Sequence, residues 1–237
     1  MDDVHLALLG GFECLCAGTR VALPLGAQRL VALLALDKHG MRRATAGELL
    51  WPDSTRGRAA ANLRSALWRG KRVGDMTVID CAGPRLRLAS AVSVDLHELS
   101  FRVRDIANPT YHVPAINGWR GLVDDLTREL LPDWSEDWLL YERERWDQLR
   151  IHALEGIGQQ LKSEAYYLAA LQTALATITI EPTRETAHRL LIEVYIAEGN
   201  FASALKHYQR YRRQLQRELG LAPSQQMDQL VRPLMSS

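Results

Sequence analysis

Alternating apolar positions mark the opening of the chain as strands. Val4, Leu6 and Leu8 share one face; after Gly10-Gly11, Phe12, Cys14 and Cys16 continue the pattern, and Val21, Leu23 and Leu25 form a third run. Successive strand side chains point to opposite faces, so a period of two is the signature. The period then becomes helical. Leu30, Val31, Leu33 and Leu34 predict a helix from about Ala27 to His39, with Gly40 as its C′ residue. Thr45-Ala46-Gly47-Glu48 has the spacing of a capping box, predicting a second helix from Thr45 that stops at Trp51-Pro52.

The next stretch, from Trp51 to Val73, predicts a turn and then a long amphipathic helix. Asp53, Ser54 and Thr55 offer side-chain oxygens for the unpaired amides of a first turn. At 100° per residue, Ala59, Leu63, Ala66, Leu67, Gly70 and Val73 fall on one face. The other arc carries Arg58, Ala61, Asn62, Arg64, Ser65, Trp68, Arg69, Lys71 and Arg72, with Arg56 just ahead of it. Small and leucine residues inside with cations, Asn and Ser outside suit a helix in the major groove. There Arg and Lys meet phosphates or guanine edges and Asn pairs with adenine. A solvated basic face on a structural helix is the competing reading.

Strand periodicity returns over Thr77–Cys81 and Arg85–Leu88, around a turn at Ala82-Gly83-Pro84. Leu86 and Leu88 alternate with Arg85 and Arg87, as in a wing with one face on the core and the other toward DNA. An edge hairpin protected by charge has the same pattern. Beyond Val94 strand signals almost vanish. Asn108–Pro114 and Gly118 predict a connection or helix break, and helical periodicity then runs nearly to the end. Ala170-Leu171 and Ala204-Leu205 repeat at a separation of 34, the tetratricopeptide period. A first unit over about 151–184 has Gly158, Ala170 and Pro182 at signature positions. A second, over 185–218, offers Leu191, Tyr195, Gly199, Ala204 and Tyr208, and a terminal helix near Ser224–Leu234 is expected to cap the pair.

The net charge of +1 conceals an asymmetry. Residues 1–95 hold 13 Lys/Arg and 9 Asp/Glu, whereas residues 96–237 hold 16 and 19. A basic front half and a mildly acidic rear half fit a nucleic-acid reader joined to a protein-contact module, although chance yields such asymmetry in many soluble proteins. No run of about 18 apolar residues suggests a membrane span. The acidic start MDDVHLALLGG lacks a signal-peptide layout, so the cytoplasm is the expected location.

Catalysis finds no support in the motifs. The seven histidines are scattered without HExxH spacing, and neither a GxSxG elbow nor a Walker-type loop occurs. Cys14, Cys16 and Cys81 lack zinc-ligand spacing and read as reduced thiols, so no metal or cofactor is expected. Trp134, Trp138, Tyr141 and Trp146 read as core or interhelix packing.

Three stretches resemble the Streptomyces antibiotic regulatory protein (SARP) family. LALLGGFECLCAGTRVALP with its following leucine-rich helix is similar to the family's N-terminal sheet and first helix. Glu48–Asp53 with Arg58–Leu67 resembles its turn and recognition helix. Leu130–Arg150, LLPDWSEDWLLYERERWDQLR, looks like the motif that opens its activator domain. One departure is Leu67-Trp68-Arg69-Gly70-Lys71, where many relatives continue Leu-Ser-Arg-Leu-Arg; Gly70 leaves open whether the last turn frays or the helix ends. The resemblance covers essentially the whole chain, and no extra ATPase or receiver domain is expected.

It implies a mainly α fold with a small β component: an OmpR-type winged helix-turn-helix over 1–95, then an all-α, tetratricopeptide-like bacterial transcriptional activator domain (BTAD) over 96–237. It further implies side-by-side binding to direct repeats in promoter DNA and contact with RNA polymerase through sigma factor. A homodimer on DNA is possible on this reading. The expected DNA-binding residues are Arg56, Arg58, Asn62, Arg64, Ser65, Trp68, Arg69, Lys71, Arg72, Arg85 and Arg87. A helical scaffold without DNA binding is the alternative, separable by salt-sensitive duplex retention.

Overall fold

The computed structural model describes residues 3–37, 39–104 and 118–235. The expected break at Asn108–Pro114 lies outside them; Gly118 is the first residue of a helix. The chain divides into two units. One comprises Met1–Phe101 with Arg128–Arg145, and the other Arg102–Thr127 with Trp146–Ser237.

In the first unit the elements follow in the order β1 (Val4–Ala7), β2 (Glu13–Cys16), β3 (Thr19–Arg20), α1 (Leu25–Leu36), β4 (Met41–Arg42), α2 (Arg43–Leu50) and α3 (Arg56–Gly70). Next come β5 (Arg72–Val73), β6 (Met76–Thr77), β7 (Ile79–Ala82), β8 (Arg85–Leu88), β9 (Val92–Val94) and the start of α4 (Asp95–Arg104). The larger sheet has the order β3-β2-β1-β9, with β9 parallel to β1 and the other pairs antiparallel. Its register turns Val4 and Leu6 fully into the core. A second sheet, β4-β8-β7, lies against α1, and β5 and β6 form a separate ribbon.

Several local expectations need correction. Val21, Leu23 and Leu25 form no strand: the third strand is Thr19–Arg20, and Leu25 already opens α1 with its side chain exposed. That helix ends at Leu36, so Gly40 lies three residues past the Asp37 cap rather than at C′. Thr45 caps nothing. Helix α2 begins at Arg43, whose amide donates to the Pro84 carbonyl at 3.0 Å, so a neighbouring chain segment supplies the acceptor that a capping box would have supplied.

The motif Arg128–Arg145 completes this unit. Leu9 bridges to Leu130, the Gly10 amide donates to Glu129 at 2.7 Å, and the Leu131 amide donates to Leu8 at 2.9 Å. Leu8, Leu9, Leu130 and Leu131 are all buried. The Asp95 carboxylate accepts from the amides of Leu8 and Leu9 at 2.9 and 3.0 Å, and Arg128 lies 3.9 Å from it. Arg143 reaches back along its own segment and donates to the carbonyls of Leu130, Leu131 and Trp134. Trp134 stacks on Phe12 with centroids 5.8 Å apart and meets the edge of Trp138. Tyr141, expected in packing, is instead 78% exposed, because α6 (Leu140–Ser163) turns that side to solvent.

The second unit is helical. It contains α5 (Gly118–Thr127), the run of α6 from Trp146, α7 (Tyr167–Ile180), α8 (Glu185–Ala197), α9 (Phe201–Leu219) and α10 (Gln225–Met235). The 34-residue repeat is visible in backbone detail. Ala165 and Gly199 both take left-handed φ, at 60° and 76°. The Tyr166 amide donates to Leu161 at 2.8 Å, and the Asn200 amide donates to Tyr195 at 2.7 Å. Ala170 and Ala204 are fully buried, and a Cβ at Gly158 would meet Leu190 at 2.5 Å, so the small signature residues sit where helices approach. Helix α10 closes the array through Met227 and Val231, packed with Tyr208, Tyr211 and Leu215 of α9.

Candidate nucleic-acid interface

The helix α3 starts where the sequence offers a cap. The Thr55 hydroxyl accepts from the Arg58 amide at 3.4 Å. Ala59, Leu63, Ala66, Leu67 and Gly70 are buried as expected, and α3 packs on α1 and α2. The helix runs through Gly70, and Lys71 is its C-cap. A Cβ there would lie 3.1 Å from the Ala27 Cβ and 3.6 Å from Val31, so the missing side chain lets the last turn rest directly on α1.

The outward face has a definite arrangement. Arg58, Asn62, Ser65 and Arg69 follow at i, i+4, i+7 and i+11 and form one row. Arg64 and Lys71 line the opposite flank. Between the rows stand Ala61 and Trp68, and the Trp68 ring is 84% exposed. All of these are exposed except Asn62, which is half-buried. Two expected members fall elsewhere. Arg56, at the first residue of α3, turns toward Glu48 of α2, with Nε 3.8 Å from its carboxylate. Arg72 is not helical but begins β5, and its guanidinium donates to the Asp75 carbonyl at 2.9 Å.

The hairpin β7–β8 presents Arg85 and Arg87 outward, while Leu86 between them is fully buried. Both arginines are drawn to one spot. Arg85 donates to the carbonyls of His39 and Gly40 at 3.3 and 3.2 Å. Arg87 crosses Gly40 so closely that a Cβ there would lie 2.1 Å from its Cγ and 2.7 Å from the Leu86 carbonyl. Gly40, at φ 69°, is therefore required by both its backbone and its neighbours. The pairing Arg42↔Arg85 sets a further exposed cation beside the hairpin, one the sequence reading passed over. Its only trace in the sequence is a basic residue in a two-residue strand, too short for periodicity to register.

Among the described residues the histidines, scattered in sequence, yield one pair. His188 and His207 hydrogen-bond through Nδ1 and Nε2 at 2.9 Å, and His188 stacks on Tyr211 at 4.1 Å. Burial, with His188 beside it, pushes His207 down to about 4. The cysteines are free, and burial pushes the Cys14 thiol up to about 11. Among the described residues no helix is long and apolar enough to cross a membrane.

The family model of the bacterial transcriptional activator domain matches residues 111–234. Among solved structures, Mycobacterium tuberculosis EmbR in complex with a low-affinity phosphopeptide has the same fold. It aligns at a TM-score of 0.75 and 17% identity, covering 100% of this chain and 66% of that one. No curated protein matches the sequence.

Proposed function

The chain belongs to the bacterial transcriptional activator domain family as a SARP-type regulator, and from that premise we propose that it activates transcription by binding duplex DNA sequence-specifically. The observation that carries this reading is the face of α3, where the row Arg58, Asn62, Ser65 and Arg69 and the opposite flank of Arg64 and Lys71 border Ala61 and Trp68. A major groove about 12 Å wide admits a helix of this kind. Arg64 and Arg69 then reach base edges, Asn62 and Ser65 add amide and hydroxyl partners, and Trp68 meets thymine methyls or sugar. Arg85 and Arg87, with Arg42, approach the backbone or the adjacent minor groove.

In this reading the second unit contacts RNA polymerase, including sigma factor, or a second copy of the chain bound to the neighbouring direct repeat. The test is selection of genomic fragments by the full chain at moderate salt, followed by transcription with purified polymerase. Recovery of repeated half-sites near promoters, with activation from them, is the expected result. A chain that retains no duplex in a salt-sensitive manner is a scaffold, and the proposal is then wrong.

A further inference from the structure

Helix α9 stands apart from its surroundings in charge. It carries five Lys/Arg and one carboxylate, while the rest of residues 96–237 hold 11 Lys/Arg and 18 Asp/Glu. Four of the cations, Lys206, Arg210, Arg213 and Arg217, follow at i, i+4, i+7 and i+11. At 100° per residue they occupy an arc of about 60°, and they extend over about 17 Å. All four are exposed, on the side of α9 away from buried Ala204, Tyr208, Tyr211 and Leu215.

We infer that this stripe is a second nucleic-acid surface, which takes the sugar-phosphate backbone of duplex DNA outside the site read by α3. Like charges at these spacings repel along a helix, so the row calls for an anion. The protein supplies little. Among the described residues Arg217 alone of the four has a carboxylate within pairing distance, its own neighbour Glu218 at 3.2 Å. Carboxylates on the helices packed against α9 are engaged elsewhere. Glu185 accepts from Tyr211 and the Ser224 amide, Glu193 pairs with Lys162 and Arg189, and Asp228 accepts from Tyr208.

The flanks of the stripe separate DNA from an acidic protein as the occupant. Ala202, Ser203, Gln209 and Gln216 border it, with no aromatic or large aliphatic side chain on the row itself. Protein interfaces draw their energy from desolvated apolar and aromatic anchors. Phosphate contacts are made by Arg, Lys, Ser and Gln without any such anchor. One DNA strand advances about 3.4 Å per phosphate along the axis, so the row has the reach of several consecutive charges.

The inference rests on the reading of this chain as a DNA-binding protein, and the experiment separates the two. Full-length chain is titrated against a fluorescent 60-base-pair random-sequence duplex over a series of salt concentrations. The variant K206Q/R210Q/R213Q/R217Q should keep its helical circular dichroism. It should also show a log-log salt slope shallower by about three to four, near one per lost phosphate contact. Should it lose helicity, K206Q/R210Q and R213Q/R217Q should each give about half that change. A wild-type slope in these variants, with a slope shallower by about one in R87A, overturns the inference and leaves the DNA-binding reading intact. Absence of salt-sensitive binding by the unsubstituted chain overturns both.

Discussion

Gly70 and Ala27 bring α3 and α1 into close approach: a Cβ on Gly70 would lie 3.1 Å from that of Ala27. Gly70→Leu, which installs the leucine common in the resembling family, should overpack this contact. A loss of about 1–3 kcal/mol is expected, read as a lower urea midpoint of the full chain. Unchanged stability would mean that α3 relaxes freely and that its seat on α1 is loose.

The repeat offers a test in the opposite direction. Ala165 and Gly199 fill equivalent turns, yet only Gly199 suits a left-handed backbone. Relief of about 1–2 kcal/mol of αL strain, less the extra chain entropy of glycine, makes Ala165→Gly stabilising by roughly 0.5–1 kcal/mol. Gly199→Ala should destabilise by a similar amount. Thermal melts of both variants check the pair of signs.

On DNA, Arg64→Ala and Arg69→Ala should each weaken binding to the selected sites by about 1–3 kcal/mol and relax the sequence preference. Arg87→Ala should weaken all duplexes alike and shallow the salt slope by about one. Arg85→Ala should additionally lower the melting temperature, because that guanidinium holds the carbonyls of His39 and Gly40. Equal losses on selected and random DNA for every variant would remove the proposed division of labour.

The histidine pair sets a pH dependence. His207 titrates near 4 in the folded chain, against an ordinary 6.5, and burial lowers His188 as well. Between those values the unfolded state binds more protons than the folded one, so stability falls as pH drops from about 6.5 toward 4. Below about 4 His207 contributes no further loss. His207→Gln should flatten this part of the curve, measured as urea midpoints at pH 7.5, 6 and 5; an identical slope in the variant would show that other groups govern it.

A fragment of residues 1–145 should melt cooperatively and well above one of residues 1–95. The shorter piece lacks Leu130 and Leu131, which are buried in the first unit alongside Leu8 and Leu9. Each leucine buried there contributes about 1.5–3 kcal/mol. Equal melting temperatures by circular dichroism would show that the motif adds nothing to the fold of the strands.

Local periodicity made much of this legible. The buried face of α3, the wing alternation at Leu86 and the 34-residue hairpins all follow from spacing within one element, which a sequence displays directly. What escaped it depends on partners in other elements. The Pro84 carbonyl starts α2 in place of Thr45, β6 draws Arg72 out of the helix into a ribbon, and His188 meets His207 only because α8 and α9 are antiparallel neighbours. The exposed Tyr141 escaped for another reason: its helix carries apolar residues on more than one side, so composition could not say which side is wet.

The Arg128–Arg145 clasp also bears on how such regulators can be inherited. It is encoded after Arg102–Thr127, a stretch that belongs to the other unit. A single crossover between two diverged genes therefore cannot exchange the units cleanly. A junction before residue 102 gives one parent's β1 the other parent's Leu130 and Leu131, while a junction at residue 146 grafts a foreign helical array onto the first parent's α5. Recombination that swaps the first unit and keeps the second needs three junctions, before residues 102, 128 and 146, so the two units of one gene should be passed on together.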